Sequence, residues 1–333
     1  MSRLEVLAPE GVGEVGAGED LAALLLARVA LRDGDVVVVT SKVVSKAEGL
    51  VRDGDRARSL AEETVRVVAR RGPTAIVRTR HGLTLAAAGI DASNVPAGRH
   101  APLPADPDGS ARRLRRRLGE LCPALVGVVV TDTAGRPWRE GQVDIAVGAA
   151  GLRVAEDFAG RVDGHGNPLV VTRPAVADEI ASAAELAQGK LAGRPFAVVR
   201  GRADLVTAED GPGAAALVRP DGADLFGYGA REAVVRALAG DPADRAAFGS
   251  PASPDDLAAA LAAALRLPPR PPEPVGADHE VTLPPTGSAG PDGAGLEPAA
   301  ALALVCFSHG WDVVSTRRLP DGGIRARVRP ATP

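Results

Sequence analysis

Cysteine is scarce in this sequence of 333 residues, where only Cys122 and Cys306 occur and lie far apart. Two distant cysteines do not make the disulfide framework of a small secreted domain, and they suit a reducing compartment. The histidines show no metal-ligand spacing, and neither cysteine belongs to a C-x-x-C pair, which argues against a zinc site. We therefore expect a cytoplasmic protein.

Long apolar runs and an excess of basic charge are also missing. No run approaches the roughly 20 residues that a membrane helix requires, and the N-terminal segment has no apolar signal region. The formal net charge is -3, so nucleic acid is a poor default partner. The basic run at 112–117 is interpreted as a solvated helix face, although it could also hold an anionic substrate. We expect neither a membrane nor a nucleic-acid partner.

Apolar residues make up 45% of the chain, which is enough for a buried core. Short β-branched runs and helix-like segments are mixed along the chain, so we predict a mixed α/β (α+β) fold with buried β-sheets and flanking helices. Strands are expected at 3–8, 36–39, 74–79, 126–130 and 197–200. Helices are expected at about 20–31, 55–71, 110–121 and 175–188.

The character of the sequence changes near residue 240. We predict a first domain at 1–245, a helix at 246–267, a linker rich in Pro and Gly at 268–296, and a small helix-hairpin appendage at 297–333. Every motif with a chemical role ends by Gly201. The segment after about residue 245 is therefore expected to be dispensable for the activity.

Two glycine-containing segments resemble nucleotide-binding motifs but lack other residues that those motifs require. The segment 11–16 fits G-x-G-x-x-G, but the second predicted strand ends in Thr40-Ser41-Lys42 rather than in a ribose-binding acid. Gly189-Lys190 is not a Walker A loop, because Ala184 stands where the first glycine is required. The sequence thus predicts no P-loop and no dehydrogenase, although the 11–16 loop could still contact a nucleotide.

Three other segments place polar side chains at strand ends or turns, where active sites of α/β folds gather. Residues 40–49 offer hydroxyl and ammonium groups that suit phosphate, with a solvated turn as the alternative. Residues 88–95 hold Asp91 and Asn94, for which a plain Asx-turn is the alternative. Asp132 and its neighbouring hydroxyls follow a wholly apolar strand and are oxygen ligands of the kind that hard cations prefer.

Read in order, six sequence motifs resemble the coenzyme F-420-0:L-glutamate ligase family over roughly residues 4–240. They are VVVVTSKVVSKAEG, AAAGIDASNV, PADPDGSARRLRRRL, GVVVTDTAGRPWREGQVDIAVGAAGL, VADEIASAAELAQGK and FAVVRG. The resemblance implies GTP-dependent ligation of L-glutamate, and then further glutamates, to F-420-0 through an acyl phosphate. It also implies magnesium or manganese, assistance by potassium, and an intertwined homodimer.

The resemblance further implies roles for individual residues. Asp91 and Asp132 would hold a divalent ion, with Thr133 at a second ion, and Asp91, Asp132 and Lys46 would be catalytic. The nucleotide would be contacted by Val12, Gly13, Glu14, Val15, Ser41, Lys42, Lys46 and Asn94. Lys190 departs from the family, because it stands where archaeal members carry a metal-binding glutamate of the second metal site. No C-terminal nitroreductase-like domain is recognised, so FMN is not expected.

Two other functions stay open at this point. The chain could be a ligase-fold enzyme that acts on a different acid, or a nucleotide-binding regulator without catalytic activity. The presence of Asp91, Asn94 and Asp132 argues against the regulator.

Overall fold

The computed structural model describes residues 3–93, 95–268, 270–285 and 297–331. Its helices are α1 (Leu21–Leu26), α2 (Ser41–Ala47), α3 (Arg56–Glu63), α4 (Pro107–Leu121), α5 (Val176–Gln188), α6 (Ala230–Ala239), α7 (Pro254–Leu265) and α8 (Pro298–Ser308). Its strands are β1 (Glu5–Leu7), β2 (Val36–Thr40), β3 (Arg52–Asp53), β4 (Thr64–Arg71), β5 (Thr74–Thr79), β6 (Thr84–Ala86), β7 (Arg99–His100), β8 (Gly127–Gly135), β9 (Gln142–Ala150), β10 (Phe196–Arg200), β11 (Glu273–Val275), β12 (Asp278–Leu283), β13 (Trp311–Arg318) and β14 (Ile324–Pro330). The predicted mixed α/β fold is confirmed. In the described part of the chain, no helix has the length and apolar character needed to cross a membrane.

The chain divides into two compact units, which comprise Met1–Val67 with Gly72–Val218, and Val68–Arg71 with Arg219–Pro333. This division falls earlier than the boundary predicted at 245. The reason is that α6, which was expected to belong to the first domain, packs against α8 of the second unit. A boundary based on motif positions does not detect such packing.

The main sheet of the first unit has the strand order β1-β10-β2-β8-β9 in the described residues. β2 and β8 pair in parallel, whereas β1, β9 and β10 pair with their neighbours antiparallel. Smaller sheets join β3 to β7, and β4 to β5 and β6. The long parallel pair occupies the interior of the main sheet and is therefore shielded from solvent at both edges.

The four consecutive valines of β2 are fully buried because helices cover both faces of the sheet. Val37 and Val39 belong to the apolar core that includes residues of α1 and α4. Val36 and Val38 belong to a second core, which includes residues of α5. A buried valine contributes about 1.5–3 kcal/mol, so this strand is a large local source of stability. The prediction of a strand buried on both faces is confirmed.

Two predicted helices of the first unit are shorter than expected. The helix predicted at 55–71 ends at Glu63, and the rest of that segment forms β4. The physical reason is that the segment after Thr64 is rich in β-branched residues and has a neighbouring strand, β5, with which to pair. The helix predicted from 20 to 31 is capped by Asp20 as expected but ends at Leu26.

The second unit contains an antiparallel sheet in the order β11-β12-β14-β13. Leu257 of α7 and Leu302 of α8 share an apolar core with Val281 and Leu283 of β12. The interpretation of 268–296 as a linker was therefore wrong for its described residues, since two strands lie in it. Because the segment contains many prolines, the short alternation of polar and apolar residues that forms β12 was not interpreted as a strand. The predicted helix and hairpin of the C-terminal region are confirmed by α8, β13 and β14.

The basic run on α4 is largely neutralised by nearby acids. Arg113 pairs with Glu48 at 2.5 Å, and Arg117 pairs with Asp20 at 2.8 Å. Arg115 pairs with Asp210 at 2.7 Å and also donates to the carbonyl of Val126. These contacts favour a structural role for the run.

Asp108, in the first turn of α4, ties three segments of the first unit together. Its carboxylate accepts hydrogen bonds from the backbone N–H groups of Ala149 (2.8 Å), Ala214 (2.7 Å) and Ala215 (3.2 Å). The neighbouring Gly213 has φ +77, and a Cβ there would lie 2.4 Å from the same carboxylate. The close approach of this loop to α4 therefore depends on both residues.

We predict that Asp108→Ala lowers the free energy of unfolding by about 2–4 kcal/mol, because three backbone donors lose a charged acceptor. Urea unfolding of the purified variant measures the change. The matched control is Asp157→Ala, since Asp157 is exposed and, among the described residues, accepts a single local turn hydrogen bond, from Ala159. Equal stability of the two variants would contradict the role given to Asp108.

Candidate functional site

The parallel pairing of β2 and β8 creates the floor of the site. Thr40 at the end of β2 lies opposite Thr131 in β8, so the residues that follow each of them are neighbours. The Ser41 hydroxyl accordingly donates to Asp132 Oδ1 at 3.1 Å, although 91 positions separate these residues along the chain. A solvated turn was the alternative interpretation of residues 40–49, but residues 41–47 form helix α2, whose first residue is Ser41.

A cavity of about 690 Å³ opens beside this pair of residues. Most of the residues predicted for the site line it, namely Gly13, Glu14, Val15, Ser41, Lys42, Lys46, Asp91, Asp132 and Thr133. Val12 was also predicted to contact the nucleotide, but its side chain is buried in the apolar core and does not line the cavity. Asn94 lies outside the described residues.

Lys42 joins the two segments that were predicted to bind nucleotide and metal. Its ammonium lies 2.5 Å from Asp91 Oδ2 and donates to the Ser93 hydroxyl at 2.7 Å. The backbone N–H of Ser93 donates to Asp91 Oδ1 at 2.6 Å, so the Asx-turn that was the alternative interpretation of this segment is present as well. Burial opposes ionisation of Asp91, but the hydrogen bonds from Lys42 and Ser93 outweigh it and lower the pKa of the carboxyl.

Lys46 connects α2 with the glycine-containing loop near the N-terminus. It lies one helical turn after Lys42, and its side chain is only 8% exposed. Its ammonium forms an ion pair and a hydrogen bond with the carboxylate of Glu14, which is largely exposed. Both groups line the cavity, so a buried cation and a largely exposed anion face the same space.

Asp132 occupies an electrostatically unfavourable position for a carboxylate. Burial, together with repulsion from Asp144 and Asp91, raises the pKa of Asp132 to about 7, while the Ser41 hydrogen bond acts in the opposite direction. A cation bound beside these carboxylates would relieve the repulsion. The raised pKa therefore points to a site that is completed by positive charge.

The segment that carries Asp91 approaches Asp132 through unusual backbone geometry. Ala87 and Ala88 adopt left-handed conformations with φ 51 and φ 56, and Gly89 follows with φ 71. A Cβ on Gly89 would lie 3.1 Å from Asp132 Oδ2 and 3.0 Å from Leu103. A left-handed residue other than glycine costs roughly 1–2 kcal/mol, and such strain is concentrated at functional sites.

Asp144 of β9 is a cavity residue that the sequence reasoning missed. Its buried carboxylate accepts hydrogen bonds from Thr131 (3.0 Å) and Thr133 (2.8 Å). Lys190 in turn donates to the Thr133 hydroxyl at 3.1 Å. The available signal was a single acid in the mostly apolar strand QVDIAVGAA, which indicates a paired or functional carboxylate.

The donor chemistry of the site fits a hard divalent cation. Asp91 and Asp132 supply carboxylate oxygens, and Thr133 supplies a hydroxyl oxygen, which are the ligands that magnesium and manganese prefer. Within residues 3–93, 95–268, 270–285 and 297–331, no three His, Cys, Asp or Glu side chains are already grouped to hold an ion. Asp91 is instead paired with Lys42, so the assignment of metal ligands stays a prediction.

The last turn of α5 and the loop after it complete the wall of the cavity. They contribute Glu185, Gln188, Lys190 and Arg194, of which only Lys190 was singled out from the sequence. Burial and the nearby charge of Asp144 raise the pKa of Glu185, while Lys190 opposes that shift. The wall thus carries both signs of charge on one short segment.

The similarity to known proteins covers the same residues. A sequence model of the family described as F420-0:Gamma-glutamyl ligase matches residues 11–64 and 53–201, which include every described residue predicted for the site. A coenzyme F420:L-glutamate ligase of Archaeoglobus fulgidus is 43% identical over 219 residues, which are 60% of this chain and 88% of the relative. The enzyme of that name from Methanopyrus kandleri is 42% identical over 235 residues, or 64% of this chain and 93% of the relative.

A third relative shows how much of the chain the likeness covers. The coenzyme F420:L-glutamate ligase of Methanothermobacter thermautotrophicus is 39% identical over 249 residues, which are 98% of its length and 67% of this chain. This chain is therefore longer than the relatives, although it spans nearly all of each of them. The family match over more than half of the chain shows that the protein belongs to the F420-0:gamma-glutamyl ligase family.

Proposed function

We propose that the protein uses GTP and a divalent cation to join L-glutamate to coenzyme F-420-0, and then adds further glutamates. The observation that carries this proposal is the meeting of Ser41, Lys42 and Lys46 with Asp91 and Asp132 in one cavity. Phosphate-binding donors and metal-binding acceptors must lie side by side for phosphoryl transfer. The names of the relatives support F-420-0 and L-glutamate as the substrates.

The lysines would bind and neutralise the triphosphate. Lys46 is buried, so its charge is weakly screened and acts strongly on phosphate oxygens in the cavity. Lys42 would exchange its contact with Asp91 for one with phosphate, which would free Asp91 for a cation. Ser41 and the backbone of Gly13, Glu14 and Val15 would add short donors, and Asn94 stays a predicted nucleotide contact.

Asp91 and Asp132 would hold the divalent cation, and Thr133 would contribute to a second ion. A magnesium or manganese ion bound there would polarise the phosphoryl group and neutralise the charge that develops on it. Asp132 would be held in place by Ser41, and Thr133 by Asp144. These contacts would fix the ligand oxygens before substrates arrive.

The proposed ligation proceeds in two steps. The terminal carboxylate of F-420-0 attacks the γ-phosphorus of GTP, so that a P–O bond to GDP breaks and an acyl phosphate forms. The amine of L-glutamate then attacks the acyl carbon, forms the amide C–N bond, loses a proton and expels phosphate. The protein contributes positioning and charge neutralisation, which are the main requirements of phosphoryl transfer.

The assembly and location of the enzyme form part of the same proposal. The family resemblance supports a cytoplasmic homodimer that is assisted by potassium. Sedimentation of the purified protein tests the dimer, and replacement of potassium by sodium in the assay tests the monovalent ion.

The direct test is to incubate the protein with F-420-0, GTP, manganese and L-glutamate and to read the product masses. We expect mass increments of one or more glutamyl residues together with release of GDP. Assays in which another acid replaces F-420-0 test the alternative substrate. Nucleotide binding without any ligation would favour the regulator.

We predict that Asp132→Asn lowers the rate of ligation by at least about 100-fold, because a charged metal ligand is lost. The asparagine keeps the shape of the side chain and the contact with Ser41, and it removes repulsion from Asp91 and Asp144. The melting temperature should therefore equal or exceed that of the wild type. Steady-state kinetics and thermal unfolding measure the two effects.

The control for this variant is Asp157→Asn, which removes the charge of an exposed carboxylate. It should leave both rate and melting temperature unchanged. Wild-type turnover of Asp132→Asn at limiting manganese would overturn the metal assignment.

We predict that Lys46→Met raises the KM for GTP by about tenfold or more and changes the KM for L-glutamate by less than about twofold. Methionine preserves the packing of the buried stem but removes the charge that faces the phosphates. Initial rates at varied GTP and varied glutamate separate the two constants. If only the glutamate constant rose, Lys46 would belong to the amino-acid site.

A further inference from the structure

The hairpin formed by β8 and β9 extends beyond the cavity in which the reaction is proposed to occur. Thr133 of β8 lies opposite Asp144 of β9, and both residues line the cavity. Two positions further on, Gly135 lies opposite Gln142, and the chain turns through residues 136–141. Successive residues of a strand are about 3.3 Å apart, so this turn begins roughly 10 Å beyond Thr133. The hairpin therefore connects the proposed site of phosphoryl transfer with a loop outside it.

Trp138 in this turn is unusual in both its exposure and its backbone conformation. The residue is 88% exposed, whereas the other tryptophan of the chain, Trp311, is 1% exposed and lies in the apolar core of the second unit. Trp138 also has φ 62, in the left-handed region that a bulky residue rarely adopts. Large aromatic rings dominate the energetics of contacts, and unfavourable backbone conformations are concentrated at functional sites. Trp138 is thus placed to present its ring to a ligand.

The turn around Trp138 has a fixed shape and a positive charge. Arg136 Nη2 donates to the carbonyl of Glu140 at 2.9 Å, which connects the two ends of the turn. Two arginines and one glutamate in residues 136–141 give the turn a net positive charge, and Arg139 is exposed beside the tryptophan. An aromatic ring next to a guanidinium offers a stacking surface and hydrogen-bond donors to one flat polar molecule.

The face of the hairpin between the cavity and Trp138 is open. Side chains alternate between the two faces of a strand, so Thr131, Thr133 and Gly135 lie on the same face. A Cβ on Gly135 would meet no atom of the described residues within 4 Å, apart from its chain neighbours. A glycine inside a strand leaves room for a ligand to approach the backbone closely. A long substrate can therefore extend from Thr133 along this face to the turn.

The strand order separates this face from the residues proposed to bind the nucleotide. β8 lies between β2 and β9 in the main sheet. The proposed phosphate-binding residues Ser41, Lys42 and Lys46 follow β2, whereas the turn joins β8 to β9. In phosphoryl transfer the attacking and leaving oxygens lie roughly in line on opposite sides of phosphorus. A nucleotide bound on the β2 side leaves the β9 side for the molecule that carries the attacking carboxylate.

We propose that the turn between β8 and β9 binds the ring system of F-420-0, an assignment that rests on the proposed function. This acceptor has a flat deazaflavin ring that is joined by a chain to the reacting carboxylate. The ring stacks on Trp138, and Arg139 donates to its carbonyl oxygens. The chain passes over Gly135, which brings the carboxylate to the phosphoryl group beside Asp132.

The kinetic test compares Trp138→Ala with Trp138→Phe and with a matched control, Leu225→Ala, since Leu225 is an exposed apolar residue of the second unit. Trp138→Ala should raise the KM for F-420-0 by about tenfold or more, because the stacking surface is lost. Trp138→Phe keeps an aromatic ring and should recover most of this loss. The KM values for GTP and L-glutamate should change by less than about twofold in all three variants.

Two kinetic outcomes would overturn the assignment. An unchanged KM for F-420-0 in Trp138→Ala would show that the ring of Trp138 does not contact the acceptor. A rise confined to the KM for GTP would show that Trp138 stacks on the guanine base instead.

Gly135→Val tests the path along the hairpin. Valine suits a strand, and the space around Gly135 is open, so the melting temperature should equal or exceed that of the wild type. The added side chain would narrow the path, and the KM for F-420-0 should rise severalfold while the KM for GTP does not. An unchanged KM for F-420-0 in this variant would contradict the path.

Equilibrium dialysis makes the test independent of turnover. The probe is a deazaflavin that carries only its ribityl chain, which has no carboxylate and cannot be ligated. Its affinity for the full-length protein should fall about tenfold in Trp138→Ala and stay unchanged in Leu225→Ala. This result supports the ring site even if ligation of F-420-0 is not observed.

Equal affinity of the probe for the wild type and Trp138→Ala would reject the ring site even if the ligase reaction is confirmed. Sedimentation of the same variant provides the second check. A change of oligomeric state in Trp138→Ala would identify the exposed ring as a contact between copies of the chain, and that outcome would also overturn the assignment.

Discussion

The parallel pairing of β2 and β8 is the contact on which the rest of the first unit depends. It lies in the middle of the main sheet, is buried from both sides, and sets Thr40 beside Thr131. β2 ends at Thr40, and the polar residues of β8 begin beside it at Thr131, so the register of this one strand pair determines the separation of Ser41 and Asp132. A shift of one residue would turn Asp132 toward the opposite face of the sheet. The geometry of the proposed metal and phosphate groups is therefore decided by packing in the apolar core.

The lysines of the cavity are each paired with another side chain of the protein. Lys42 is held by Asp91, Lys46 is held by Glu14, and Lys190 reaches Thr133 beside Asp144. Each cation that would serve a phosphate or a carboxylate already has a protein partner. Binding would therefore exchange one anion for another, and the net gain would be smaller than the contacts suggest. In return, the separate segments are held near their working positions before the substrates arrive.

Sequence reasoning located the main elements of the site but not their mutual contacts. The valine run of β2, the strand before Asp132 and helix α5 were predicted because strong apolar patterns mark them. Asp144 and Gln188 escaped notice, since single polar residues in a strand or at a helix end become meaningful only when their neighbours are known. β4 and β12 were missed although each has a strand-like pattern, because the β-branched residues of β4 were assigned to a continuing helix and those of β12 lie in a proline-rich segment; pairing with β5 and with β14 decides the outcome. The predictions for Asn94 and for the role of the C-terminal region remain predictions.

The left-handed run of Ala87, Ala88 and Gly89 has a consequence for how this family can vary. Valine, isoleucine or threonine would fit poorly at these positions, because their branched Cβ atoms clash with the backbone in that conformation. Substitutions there should be confined to glycine, alanine, asparagine and aspartate, even though none of the three residues lines the cavity. The residue types of the segment AAAGID are thus determined by its backbone conformation. To change the position of Asp91, an enzyme engineer would have to redesign that turn rather than exchange a side chain.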